Sequence, residues 1–163
     1  MKYIITLLFS FLLTSCISTK DKALLFAADC PENGVCRLET HKNTSLIIKK
    51  DDIGSLYHQM EESPGKTTFA YYYEQNIEQA YLDGHYIEEI RFEMNDAAFD
   101  NSFKNLKPTQ ILFGVFCYCK GKAGYYTVEN ALISYDKKSE TITVTIDQII
   151  ENQILRTIHT KRL

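Results

Sequence analysis

The chain has 163 residues, 45% apolar and 24% charged, with five cysteines, three prolines, seven glycines and no tryptophan. That composition excludes a disordered, collagen-like or low-complexity polypeptide and fits one globular domain. The net charge of −3 offers no basic excess to neutralise phosphates, so nucleic acid is not an expected partner.

Residues 1–15 stand apart from the rest. Lys2 supplies a basic start, and the apolar run from Tyr3 to Leu13 is broken only by Thr6 and Ser10. At about eleven residues this run falls short of the roughly 20 that a spanning helix needs, and small residues follow it, as in a secretory signal peptide. Leu13-Thr14-Ser15-Cys16 then resembles the lipobox of bacterial lipoproteins. The resemblance covers these residues alone. It implies cleavage before Cys16 and acyl chains, palmitate among them, on the sulfur and amine of that residue. A plain signal cut after Ala28 would place Phe26 at −3, and a second lipobox at Cys30 would place Asp29 at −1, so both fit poorly.

On this reading residues 16–28 are a lipidated N-terminus and tether, and residues 29–163 a single domain. The mature chain has 148 residues and a charge of −4. Its membrane contact is the lipid on Cys16, since several acyl chains anchor stably where one does not. The compartment is the bacterial cell envelope, oxidising enough for thiols to pair. Ile17 rather than Asp after Cys16 points, by resemblance to enterobacterial sorting, to the outer rather than the inner membrane.

The mature chain alternates with period two, the signature of half-buried strands. Weak strands fall at 35–40 and 44–50. Pro64-Gly65 suits a type II turn and would pair residues 53–61 with residues 67–73. Asp83-Gly84 opens a strand over 85–94, in which Tyr86, Ile90, Phe92 and Met94 face one way and His85, Glu89, Arg91 and Glu93 the other. Residues 96–106 break the alternation, with Phe99 and Phe103 four apart and Asn95 or Asp96 as an N-cap, and predict one short helix. Residues 111–119 are apolar on both faces, as in a central strand. Strands at 125–129, 132–135, 141–146 and 153–161 complete the set. The expected fold is all-β: an antiparallel, meander-rich sandwich or closed barrel of about ten strands.

With Cys16 in the anchor, Cys30, Cys36, Cys117 and Cys119 remain as disulfide candidates, allowing three pairings. If Cys117 and Cys119 share a strand, their Cβ atoms lie roughly 7 Å apart, against the 3.8 Å or so that a disulfide needs. Strand geometry thus favours two long-range bridges from residues 30 and 36 to residues 117 and 119, each worth about 4–5 kcal/mol in the chain-entropy model. The alternative bonds Cys30 to Cys36 and leaves Cys117 and Cys119 free or joined to each other. A functional alternative makes Cys117 and Cys119 a soft-metal or thiol-redox site, helped by His41 or His85. No metal is the favoured reading, because the spacings fit zinc patterns loosely.

Pro64-Gly65-Lys66-Thr67 looks like the end of a phosphate loop, but Met60 stands where that loop needs glycine. His85, Glu89, Arg91 and Glu93 form either an acid–base patch or, more plainly, a solvated salt-bridge ladder. No Gly-x-Ser-x-Gly or His-Glu-x-x-His occurs, and no catalytic residue is named. The binding candidates are Tyr72, Tyr118 and Tyr125, which combine ring and hydroxyl, and Glu88, a carboxyl among apolar neighbours. The sequence therefore describes a lipid-anchored envelope protein whose β domain binds a protein or small ligand or has a structural role, without a cofactor other than the covalent lipid.

Overall fold

The computed structural model describes residues 22–26, 29–76 and 84–162. The expected signal peptide, Cys16, most of the expected tether and Asp83 lie outside them. Among the described residues ten strands form two antiparallel sheets: β1 (Lys22–Phe26), β2 (Gly34–Lys50), β3 (Leu56–Gln75), β4 (Tyr86–Asn95), β5 (Phe103–Leu106), β6 (Gln110–Cys117), β7 (Gly124–Thr127), β8 (Ala131–Asp136), β9 (Thr141–Ile146) and β10 (Thr157–Lys161). The larger sheet has the order β1-β2-β3-β4-β6-β7, and the smaller β10-β9-β8-β5. The fold is all-β and antiparallel, as the alternation implies. Lys22–Phe26, placed by sequence in the tether, is the edge strand beside β2.

The two sheets bury their apolar faces against each other. Leu38, Phe69, Tyr71, Ile90, Phe92, Phe113 and Val115 come from the larger sheet, and Ile133, Tyr135, Ile142, Val144, Ile146 and Ile158 from the smaller. Phe69 stacks on Phe92 at 4.9 Å between ring centroids. Each such ring contributes on the order of 2–3 kcal/mol on leaving water.

Pro64-Gly65 is not a hairpin turn. β3 runs through it, and the hairpin tip is Asp51–Ser55, where the Asp51 carboxyl accepts the amides of Ile53 (3.0 Å) and Ser55 (2.7 Å). The register instead shifts opposite Pro64-Gly65, between Lys42 and Thr44. Asn43 and Gly65 both take left-handed φ there, 52° and 81°, conformations these two residue types tolerate best. The bulge bends strands of 17 and 20 residues, far longer than the usual 3–10. Their outer halves fold back over the sheet face turned away from the core, and β3 touches β7 at Leu56 and Tyr125.

The expected helix over 96–106 is a single 3-10 turn, Asp96–Asp100, followed by β5. The Asn95 side chain makes no cap hydrogen bond, and Asn101 is already extended. Two tertiary contacts override the helical spacing. Phe99 packs edge-on against Tyr135 at 5.0 Å, and Phe103 pairs with Tyr135 across the strands.

The long-range bridges are replaced by local ones. Cys30 bonds Cys36, with Cα atoms 5.4 Å apart, and Cys117 pairs with Cys119, with Cα atoms 5.2 Å apart. β6 ends at Cys117, so Cys119 escapes the strand spacing that argued against this pair. The seven-residue loop closed by Cys30–Cys36 stabilises by about 2 kcal/mol in the chain-entropy model, half the value of the expected staples.

Candidate functional site

Pairing across the larger sheet lines up the non-core face in rows. Arg37, Tyr72, Glu89, Gly114 and Tyr125 form one row. Glu39, Ala70, Arg91 and Leu112 form the next, and His41, Thr68, Glu93 and Gln110 a third. Glu89, Arg91 and Glu93, expected in solvent, are buried. The physical reason is the bulge, because the outer halves of β2 and β3 carry Ser45, Leu46, His58 and Met60 over these rows.

The buried charges are paired. Arg91 donates to Glu89 from both Nε and Nη2, each at 2.5 Å, and to the Tyr72 hydroxyl at 2.7 Å. Tyr125 donates to the other Glu89 oxygen at 3.2 Å. The Met60 sulfur lies 3.7 Å from Arg91 Nη1. Arg37 covers the Tyr72 ring at 4.4 Å, a cation–π contact near the open edge. Deeper in, Glu93 accepts from Ser45 Oγ and the Leu46 amide, both at 2.7 Å, and pairs with Lys66 Nζ at 2.8 Å. Lys66, the lysine of the phosphate-loop lookalike, thus serves an internal ion pair.

Burial shifts the titrations. Desolvation, with smaller contributions from neighbouring charges, raises Glu89 above the ordinary carboxyl range although Arg91 opposes it. It pushes Tyr72 up to about 12, and Tyr125 also up, each reinforced by Glu89. Desolvation and then Arg91 lower His58 to about 4, so its ring is neutral at pH 7. His58 stands edge-on to Tyr125 at 5.2 Å, and its Nδ1 has no hydrogen-bond partner among the described residues. Glu93 is desolvated as well, but Lys66, Ser45 and the Leu46 amide outweigh that and lower it.

Of the binding candidates, Tyr72 and Tyr125 meet in this network, through Arg91 and Glu89. Glu88 lies on the opposite face of β4, turned toward the core. It is fully buried, accepting from Tyr86 Oη (2.6 Å), the Ile154 amide (2.9 Å) and the Leu155 amide (2.7 Å). Tyr118 sits in the turn after β6, 81% exposed and away from both tyrosines' shared network. His41 and His85, the suggested helpers of a metal site, stand beside Glu39 and Glu74. Among the described residues no three His, Cys, Asp or Glu side chains gather as a metal site would require.

Glu89 and Arg91 enter the sequence reading only as an acid–base patch or solvated ladder, and His58, Met60 and Arg37 are not candidates there. The signal for them was Tyr71-Tyr72-Tyr73, which puts aromatic rings on both faces of one strand and so argues for cover on both. The class these features define is an all-β domain with a local disulfide and a charged second interior. No protein-family model, curated protein or solved structure matches the chain.

Proposed function

We propose that this protein is a lipid-anchored envelope lipoprotein whose β domain is a binding module, engaging its ligand on the curved face around Tyr72 and Tyr125. One observation carries the site: Arg37, Tyr72, Glu89 and Tyr125 lie in a single row across the sheet, held by Arg91, on the face that the core does not use. The row grades from part-exposed rings and Arg37 to a buried ion pair. Beside it lies the row of Val35, Glu74, Ile87 and Phe116, in which Val35 and Phe116 are exposed and Glu74 pairs with Arg37. Apolar side chains around a few fixed polar groups suit a small ligand or peptide with both kinds of surface. The anchor rests on the Leu13–Cys16 resemblance.

Two measurements test this. Metabolic labelling with an alkyne fatty acid should mark the protein, and Cys16→Ala should abolish the mark; labelling that survives the substitution refutes the anchor. Amide NMR of the purified protein should be followed against a set of envelope glycans and peptides. Shifts gathered at Tyr72, Arg91 and Tyr125, lost in Tyr72→Ala, support the site. Binding that leaves these residues unmoved removes it.

A further inference from the structure

The Cys117–Cys119 pair is not a staple. β6 ends at Cys117 and one residue separates the two cysteines, so their bond joins no two elements. Cys36, by contrast, is buried in the core, and its bond to Cys30 fixes the turn that opens β2. Cys117 and Cys119 are both part-exposed. Cys119 lines an open cavity of about 300 Å3 whose wall includes Tyr86, Lys122, Glu151 and Ile154. Tyr118, between the cysteines, is 81% exposed, and Phe116, just before them, 37%. Part exposure gives an attacking thiolate access to the sulfur, and exposed aromatics are what a docking polypeptide covers.

We propose that Cys117 and Cys119 form a thiol–disulfide exchange site that accepts two electrons from a polypeptide dithiol. The partner's thiolate attacks Sγ of Cys119, the sulfur that lines the cavity. The Cys117–Cys119 bond breaks, a mixed disulfide forms between Cys119 and the partner, and Cys117 leaves as thiolate. The partner's second thiol, having lost its proton, then attacks the partner's own sulfur in that mixed disulfide and releases Cys119. The partner ends as a disulfide, and Cys117 and Cys119 take up the two protons as thiols. The two surfaces meet at Phe116, which stands edge-on to Tyr125 at 5.3 Å, but the readings are told apart by alkylation at Cys117 and Cys119 here and by amide shifts at Tyr72, Arg91 and Tyr125 there.

The test uses the full chain in detergent, in its oxidised form, with a quenched reporter peptide carrying two cysteines. Alkylation and peptide mapping before and after mixing count the thiols. The expected result is one equivalent of peptide oxidised, with new alkylation at Cys117 and Cys119 while Cys30 and Cys36 stay bonded. Cys117→Ser/Cys119→Ser should oxidise the peptide at least tenfold more slowly. Three results would overturn the proposal: alkylation of Cys117 and Cys119 before peptide is added, alkylation of Cys30 and Cys36 first, or equal oxidation by the wild-type and doubly substituted proteins. Should the double variant misfold, the wild-type alkylation pattern decides by itself.

Discussion

The carboxyl of Glu88 accepts the backbone amide of Leu155 at 2.7 Å, joining residues 67 positions apart and tying β4 of the larger sheet to the connection between β9 and β10 of the smaller. The Ile154 amide and the Tyr86 hydroxyl share the same carboxyl. A buried backbone amide left without an acceptor costs about 1–3 kcal/mol. Glu88→Ala strands two of them and opens a cavity, so it should lower unfolding stability by about 3 kcal/mol or more. Urea denaturation measures this; a loss below about 1 kcal/mol would show that the carboxyl does not hold the β9–β10 connection against β4.

Arg91 and Glu89 should behave as a unit. Arg91→Met leaves the Glu89 carboxyl buried with the Tyr125 hydroxyl, and breaking a buried pair on one side costs about 3–5 kcal/mol. Replacing both residues with Met removes the charge together with its partner and should cost less than Arg91→Met alone. A four-way unfolding cycle reads this directly, and additive losses would contradict it.

His58 makes stability depend on pH. Its folded pKa is lowered to about 4 from 6.5, chiefly by burial and then by Arg91. Below 6.5 the unfolded chain takes up a proton that the folded ring refuses until near 4, so stability falls as pH drops through that window. The ring is part-exposed, and solvent screening reduces the effect to about 1 kcal/mol. Glu89 acts oppositely: its raised pKa costs stability as pH rises past the ordinary carboxyl value. The comparison is therefore between the wild type and His58→Gln. The variant should lose less stability from pH 6.5 to 4, and parallel curves would exclude His58 as a source.

Gly114 holds Tyr125 in place by lacking a side chain. A Cβ there would lie 2.7 Å from the Tyr125 ring. Gly114→Ala should therefore push the ring off the sheet, loosen its bond to Glu89, and cost about 1–3 kcal/mol. In a Tyr125→Ala background the same substitution should cost much less. Equal penalties in the two backgrounds would place the strain elsewhere.

How much was legible in the residues varies with the range of the forces involved. Thr141–Ile146 alternates so strictly that its strand and its buried face follow from local pattern, and the turn before it from Asp136-Lys137-Lys138-Ser139. Phe99 and Phe103 misled because a four-residue spacing fits a helix, while their packing on Tyr135 is a contact of distant parts. Glu88 stood out as a carboxyl on an apolar face, but its partners at 154 and 155 could not be read from its own segment. Tyr72 and Tyr125 were found as amphipathic rings; the Arg91–Glu89 pair that joins them was read as solvated.

The sequence by itself determined the all-β class, the positions of most strands, the alternation that assigns each side chain to a face, and the lipobox resemblance at Cys16. These depend on neighbours in the chain and on a period of two. Only the tertiary structure decided that Cys30 bonds Cys36, that Pro64-Gly65 sits in a bulge, and that Glu89 and Arg91 are buried. Those outcomes depend on which strands lie side by side and on how far a 20-residue strand bends, and burial is a property of what comes to lie above a face.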